Sequence, residues 1–170
     1  SLLTGARASR FGRRGSENLL IVEDARGEEE VPFDRVLLAV GRRAVTNGLG
    51  LERLSIGLNK DGTIVTDTSL RTEVPTIYAC GDVAGPYQFT HAASHQAWYA
   101  AVNGLFGQFK KFKADYSVIP WCTFIDPEVA RVGLNEQEAK EQGIAVEVTR
   151  YGIDDLDRAI ADSAAEGWVK

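Results

Sequence analysis

The stretch PTIYACGDVAGPYQFTHAA, residues 75–93, joins a short apolar segment to a helix rich in small residues. The apolar residues 76–80 predict a buried strand, and this strand ends at Gly81 and Asp82. Open α/β sheets bind ligands at the carboxyl ends of their strands, and a glycine there lets a ligand approach the backbone. The stretch therefore predicts a ligand site in which the Asp82 carboxylate accepts hydrogen bonds from ligand hydroxyl groups.

A helix is predicted over residues 91–106, with its first turn near Thr90 and His91. The first turn of a helix carries unpaired N–H groups and the positive end of the helix dipole. That end would stabilise an anionic ligand, such as the N1–C2=O edge of a reduced flavin. The structural alternative is that Gly-Asp is an ordinary turn and that the Ala-rich helix is core, because a single short motif is weak evidence.

Composition limits the class of protein. The 170 residues carry a net charge of −5, with 44% hydrophobic and 25% charged residues, which is typical of a soluble globular protein. No apolar run approaches the roughly 20 residues of a membrane span, and no concentrated basic face suggests nucleic acid. Cys80 and Cys122 lie far apart, which predicts neither a metal site nor a disulfide framework and favours the cytoplasm.

Local patterns divide the chain into three regions: a β-rich region over residues 1–45, an α/β region over 46–115 and an α+β region over 116–170. Strands are predicted over residues 18–24, 33–41 and 145–151, and another begins within 166–170. Asp61 and Gly62 predict a hairpin-type turn. A short helix follows residue 134, where Asn135 and Glu138 form a capping box and Gly143 ends the helix.

Residues 76–93 closely resemble the second FAD-binding motif of the flavin-dependent pyridine nucleotide–disulfide oxidoreductases. This family includes dihydrolipoamide dehydrogenase, glutathione reductase and mercuric reductase. FDRVLLAVGRRAVTNGLGLERLSI, residues 33–56, resembles the segment that joins the NAD(P) domain back to the FAD domain. IPWCTFIDPEVARVGLNEQEAKEQG, residues 119–143, resembles the opening of the dimerisation domain. TFIDPEVARVG, followed by DDLDRAIADSAAEGWVK, favours a mercuric-reductase-like branch.

The resemblance implies a fragment of a flavoenzyme with two dinucleotide-binding domains and an α+β dimerisation domain. Residues 1–45 would be the tail of the NAD(P)-binding domain, 46–115 the C-terminal part of the FAD-binding domain, and 116–170 the first part of the dimerisation domain. The implied cofactors are FAD and NAD(P)H. The implied partners are a second copy of the chain and a small-molecule or metal-ion electron acceptor.

The resemblance also assigns cofactor-binding residues, and no catalytic residue or metal ligand. Asp82 would hydrogen-bond the FAD ribityl chain, and Gly41 would face the nicotinamide dinucleotide. Four residues would lie against the isoalloxazine ring, largely through backbone contacts: Gln88, Phe89, Thr90 and His91. Ala44 stands where the family often has proline, which loosens one turn and removes no chemistry.

Three expected parts of such an enzyme are not in this sequence: the two G-x-G-x-x-G motifs, the redox-active cysteine pair, and the distal dimerisation segment. The chain alone is therefore expected to be inactive. The whole enzyme would pass electrons from NAD(P)H through FAD and a redox cysteine pair to a disulfide or a metal ion.

Two alternatives remain at this stage. Residues 116–170 alone could form a non-catalytic association module, which would be colourless in solution. The whole protein could also be a flavin-dependent NAD(P)H oxidase or reductase without a redox disulfide, and a C-x-x-x-x-C pair upstream would distinguish the two enzymes.

Several other side chains are predicted to have structural roles. Cys80 and Cys122 are expected to pack in the core or at an interface, since buried cysteines are usually inert. His91 is expected to contact flavin through its backbone, and His95 to lie on a helix face. Trp98 and Tyr99 are predicted to pack against neighbouring side chains. The acidic residues Asp154, Asp155 and Asp157 are predicted to form a solvated loop. Arg158 is predicted either to fix that loop or to make an interface ion pair.

Overall fold

The computed structural model describes residues 2–170, which form two compact units, residues 2–42 and Arg43–Lys170. The first unit is a small antiparallel sheet, and the second combines helices with short hairpins. Within the described residues, no helix is both long and apolar enough to cross a membrane.

The first unit is a three-stranded meander of β1 (Arg7–Arg14), β2 (Glu17–Asp24) and β3 (Gly27–Phe33). Two-residue connections allow adjacent antiparallel strands, so β2 lies at the centre, and the strand predicted over residues 18–24 is confirmed. Leu19, Ile21 and Val22 of this central strand are buried.

Ion pairs cross the surface of this sheet. The Arg10 guanidinium contacts Glu28 at 2.5 Å, and neighbouring pairs join Arg7 to Glu23 and Arg14 to Glu30. Because all of these side chains are exposed, water screens each pair and its contribution to stability is small. The strand ladder and the buried apolar side chains of β2 therefore account for most of the stability of the sheet.

The buried strand predicted over residues 33–41 is wrong. Residues 35–39 have no regular structure, and the side chains of Leu37 and Val40 are 88% and 87% exposed. A strand buried on both faces needs neighbouring strands and covering helices. No strand within residues 2–170 pairs with this segment beyond Phe33, so its apolar side chains face solvent.

The second unit has a core of Ile56, Ile64 and Ala79. A short 3₁₀ helix, Leu51–Leu54, leads into this core. The turn predicted at Asp61 and Gly62 is confirmed: it joins the bridged residues Leu58 and Ile64, and Gly62 has φ +85°. The predicted Ala-rich helix is also confirmed as α1, Thr90–Phe106.

The strand predicted over residues 76–80 is also wrong. The segment makes a single bridge, between Arg71 and Tyr78, and its backbone bonds return to the residues just before it. The Thr72 N–H donates to the Ile77 oxygen at 2.9 Å, and the Ala79 N–H donates to the Leu70 oxygen at 3.0 Å. A parallel strand needs partners that are distant in sequence, and in the described part of the chain the one residue that pairs with this segment, Arg71, is a near neighbour.

Beyond α1 the chain forms small local elements. Strands β4 (Trp121–Thr123) and β5 (Val129–Arg131) make a hairpin, and β6 (Tyr151–Gly152) pairs with β7 (Trp168–Val169). The strand predicted to begin within residues 166–170 is therefore confirmed. The strand predicted over 145–151 is wrong, because residues 145–150 are exposed and only Tyr151 pairs, with Val169.

Two short helices complete the unit, α2 (Glu136–Glu141) and α3 (Asp157–Ala161). The predicted capping box is confirmed: the Asn135 side chain accepts from the Glu138 N–H at 2.8 Å, and the Glu138 carboxylate accepts from the Asn135 N–H at 3.1 Å. Gly143, with φ +69°, follows the helix as expected. In α3, the Arg158 guanidinium pairs with Asp162 at 2.6 Å.

Candidate functional site

The Gly81–Gly85 loop, as we call residues 81–85, packs directly against the first turns of α1. Residues Gly81–Val83 form a single 3₁₀ turn, closed by a bond from the Ala84 N–H to the Gly81 oxygen at 2.9 Å. Gly81 is buried with φ +77°, and a Cβ built there would lie 3.3 Å from the Cβ of Ala93. Glycine is required because the backbone is left-handed and the helix leaves little space for a side chain.

The other side of the loop rests on the core of the unit. The Ile64 N–H donates to the Val83 oxygen at 2.7 Å. Gly85 is buried with φ +61°, and a Cβ there would contact Thr63 at 3.6 Å. Both ends of the loop are thus held, and Asp82 lies half-buried in the turn between them.

Helix α1 begins without a side-chain cap. Phe89 occupies the N-cap position with an extended backbone, and the first turn contains no acidic residue. The first intrahelical hydrogen bond runs from the Ala93 N–H to the Phe89 oxygen at 2.9 Å. The N–H groups of residues 90–92 therefore lie ahead of the hydrogen-bond ladder of the helix. Thr90 and His91 are exposed at this positive end of the helix.

The structure brings five of the six predicted cofactor-binding residues into one continuous stretch. Asp82 lies in the loop that packs on α1, and the half-buried Gln88 and Phe89 lead into the exposed first turn with Thr90 and His91. The sixth, Gly41, lies in the first unit, where it is exposed with φ +96° and has no atom within 4 Å of a built Cβ. The roles of all six in cofactor binding stay predictions.

Aromatic side chains surround the start of α1. The Phe89 ring stacks on His91 at 5.3 Å and on Tyr87 at 6.1 Å. Tyr87 also meets Tyr116 at 5.8 Å, and Phe89 meets Trp121 at 6.4 Å. These rings form a cluster, part stacked and part tilted, beside the uncapped helix end.

The two histidines of α1 contact the segment that precedes β4. His91 Nε2 bonds to the Pro120 oxygen and His95 Nε2 to the Asp115 oxygen, each at 2.6 Å. A carbonyl oxygen only accepts, so each ring carries its proton on Nε2. In residues 2–170 no three histidine, cysteine, aspartate or glutamate side chains are grouped as metal ligands would be.

The remaining predicted side chains have mixed outcomes. Cys80 and Cys122 are free thiols and half-buried, and Cys80 precedes the loop and does not lie inside a strand. Trp98 packs against Phe112 at 5.7 Å, although its side chain is 53% exposed. In the exposed acidic loop, Asp155 accepts a hydrogen bond from the Tyr151 hydroxyl at 2.5 Å.

Sequence reasoning missed Gln96 and Tyr116. Gln96 is completely buried, and it hydrogen-bonds to both ends of the Gly81–Gly85 loop and to the Tyr116 hydroxyl. An amide residue within an Ala-rich helix was the one available signal, because such a side chain needs partners if its face of the helix is buried.

Comparison with known proteins identifies the family. Residues 1–97 match the model of the pyridine nucleotide-disulphide oxidoreductases, and residues 119–170 match the model of their dimerisation domain. The chain belongs to this family.

Curated relatives include a dihydrolipoyl dehydrogenase from Chlamydia muridarum, 41% identical over 137 residues, which are 81% of this chain and 29% of the relative. A mercuric reductase from Streptomyces lividans is 36% identical over 159 residues, 93% of this chain and 33% of that protein. This chain thus spans about a third of the length of these relatives.

Solved structures agree with the family. LpdA from Mycobacterium tuberculosis superposes with a TM-score of 0.81 and 26% identity, covering 96% of this chain and 34% of that one. The HOCl-induced flavoprotein disulfide reductase RclA from Escherichia coli superposes with a TM-score of 0.74 and 26% identity, covering 95% of this chain and 36% of that one. The strands and helices of this chain are therefore part of the fold of flavoprotein disulfide reductases, as the sequence predicted.

Proposed function

We propose that this chain is the part of a flavoprotein disulfide oxidoreductase that binds the ribityl chain and isoalloxazine edge of FAD. The observation that supports this proposal is the packing of the Gly81–Asp82 turn against the uncapped first turn of α1. The arrangement offers a hydroxyl acceptor and a set of amide donors side by side.

The residues present fit a bound flavin. At Gly81 the loop approaches α1 so closely that a Cβ would meet Ala93, and the side chain of Asp82 is only partly covered. Asp82 would accept hydrogen bonds from ribityl hydroxyls, since an ionised carboxylate is an acceptor only. The N–H groups at Thr90 and His91 would stabilise negative charge at the edge of the ring.

The aromatic cluster described above has a second role in this proposal. The half-buried rings of Tyr87 and Phe89 lie beside the exposed helix end, and with a flavin bound they would exclude water and strengthen hydrogen bonds and charge interactions there. The chemistry that FAD supplies is the transfer of electrons from NAD(P)H to a second acceptor. The proposed contribution of this chain is to bind the flavin, to orient it and to stabilise negative charge at the edge of its ring.

The whole protein is proposed to be a homodimer, which the match to the dimerisation-domain model supports. Its electron acceptor is proposed to be a disulfide or a metal ion such as Hg(II), since relatives are named both dihydrolipoyl dehydrogenase and mercuric reductase. A redox cysteine pair in the remainder of the longer protein would distinguish this enzyme from a flavin oxidase without a disulfide.

Replacement of Asp82 tests the proposal. In the full-length protein, Asp82→Ala should weaken FAD binding by about tenfold to a hundredfold, because hydrogen bonds to a charged group contribute about 1.5–3 kcal/mol. The measurement is a fluorescence titration of the apoprotein with FAD.

The matched control is Asp154→Ala, which removes an exposed carboxylate of the acidic loop. We expect its FAD affinity to equal that of the wild type. Equal affinities for the Asp82 and Asp154 variants, or a wild-type protein without affinity for FAD, would contradict the proposed function.

A further inference from the structure

Gln96 lies in the middle of α1, and its side chain is the largest of those completely buried within residues 2–170. A primary amide loses its water partners on burial, and this is costly unless hydrogen bonds replace them. The partners of Gln96 therefore indicate what this position does.

The hydrogen-bond partners of the Gln96 side chain belong to the loop and to the segment after α1. Its Oε1 accepts from the Gly81 N–H at 2.5 Å, and its Nε2 donates to the Gly85 oxygen at 2.5 Å. Nε2 also donates to the Tyr116 hydroxyl at 2.9 Å. One side chain thus joins the first and last residues of the loop that carries Asp82.

A glutamine is chemically suited to this arrangement because it presents an acceptor and two donors from one planar group. The Gly81 N–H needs an acceptor, whereas the Gly85 carbonyl needs a donor. A carboxylate would satisfy the first and repel the second, and an aliphatic side chain would leave both buried backbone groups without their partner.

Asn103, on the same helix, shows that burial alone does not produce this arrangement. It is also buried, and its amide bonds to the Ser69 oxygen at 3.1 Å and to the Phe112 backbone at 2.8 Å. These contacts lie near the C-terminal end of α1, so Asn103 fixes the helix without touching the Gly81–Gly85 loop.

We propose that Gln96 is a positioning residue that holds the Gly81–Gly85 loop on α1, so that Asp82 stays where FAD binding requires it. The inference rests on the proposed function, because it concerns the same site. Tyr116 extends the arrangement by linking Gln96 to the segment that leads into β4.

Tyr116 is the titratable partner of Gln96. Burial raises the pKa of its phenol, while the hydrogen bond from Gln96 acts in the opposite direction. The phenol therefore remains neutral between about pH 5 and pH 8 and can accept a hydrogen bond throughout that range.

The rate of FAD release from the full-length holoprotein tests the inference, followed by flavin fluorescence. Gln96→Leu should release FAD at least about tenfold faster than wild type. The substitution leaves the buried Gly81 N–H and Gly85 oxygen without a partner, which favours displacement of the loop from α1. Asn103→Leu is the matched control, because it removes a buried amide from the same helix. Its rate of FAD release should stay within about twofold of the wild-type rate.

Gln96→Glu separates positioning from general destabilisation and remains informative if the leucine variant does not fold. At pH 8 its carboxylate would repel the Gly85 oxygen and release should be fast. At pH 5 a buried carboxyl group is largely protonated, can donate to that oxygen, and should restore release towards the wild-type rate. Wild type measured at the same pH values is the reference for the other ionisable side chains near the site, Asp82, His95 and Tyr116.

Fast release from Gln96→Leu together with the pH rescue of Gln96→Glu supports the inference. Release at the wild-type rate, equal acceleration in the Asn103 variant, or the absence of any pH rescue would overturn it while leaving the proposed function intact. A wild-type protein without FAD would overturn both.

Discussion

Gly81 lets the chain turn beneath α1 with no side chain between the two. Its φ of +77° lies in the left-handed region, where a Cβ costs about 1–2 kcal/mol. The nearby Cβ of Ala93, 3.3 Å from a built Cβ, adds a steric cost, since it belongs to the helix and has little freedom to move. The position therefore combines backbone strain with crowding at the proposed flavin site.

Substitution of this glycine should reduce cofactor binding. In the full-length protein, Gly81→Ala is expected to lower FAD content and to destabilise the fold by about 1–2 kcal/mol or more, because the loop must move away from α1. The measurements are the flavin absorbance per polypeptide and the free energy of unfolding.

Gly62→Ala provides the comparison, because Gly62 also has a positive φ, +85°, but no atom within 4 Å of a built Cβ. It should share the backbone penalty and retain wild-type FAD content. If both variants retain FAD equally, crowding at Gly81 does not affect the site.

At the scale of elements, α1 and α2 are stabilised differently. Helix α1 has no side-chain cap and depends on buried contacts such as those of Ala92 and Gln96. Helix α2 is six residues long, too short to be stable by propensity alone, and has the complete capping box. Glu138 also contacts Arg131, and this hydrogen bond, with that from the Asn135 N–H, lowers the pKa of the Glu138 carboxyl.

Loss of the cap should loosen α2 locally. Asn135→Ala removes the acceptor of the Glu138 N–H, which should destabilise the helix by about 1 kcal/mol and speed amide exchange in α2 about fivefold. Hydrogen exchange of the α2 amides measures the effect, and the amides of α1 serve as the internal control. Unchanged exchange in α2 would show that its tertiary contacts, and not the cap, determine its stability.

At the scale of the whole molecule, the apolar side chains of residues 36–40 stand out because they are exposed. Leu37 and Val40 are each nearly nine-tenths exposed, in a segment that has no strand partner among residues 2–170. The relatives are about three times as long as this chain. We expect the rest of the longer protein to supply the strands and helices that bury this segment.

A charge at Leu37 tests that expectation. Leu37→Lys should destabilise the full-length protein by about 2 kcal/mol or more, because the lost apolar burial and the buried charge both oppose folding. Thermal unfolding measures the change, and Gln108→Lys, which adds the same charge at an exposed polar position, should have little effect. Equal stability of the two variants would mean that residue 37 stays exposed in the whole protein.

The sequence alone determined the features that depend on near neighbours. The capping box at Asn135, the turn at Gly62, helix α1 and the central strand β2 are each specified by residues within a few positions of one another. The ordered motifs of residues 33–56, 76–93 and 119–143 likewise identified the family, because a motif is a local pattern that remains visible in a part of the chain.

Tertiary structure decided the rest. The apolar runs 33–41 and 76–80 resemble buried strands, yet a strand forms only where a partner supplies its hydrogen bonds. In the described residues the first run pairs only at Phe33 and the second makes only the bridge at Tyr78. The bonds of Gln96 to Gly81 and of His91 to Pro120 join residues 15 and 29 positions apart. Local patterns carry no information about such partners, because the path of the chain through space brings them together.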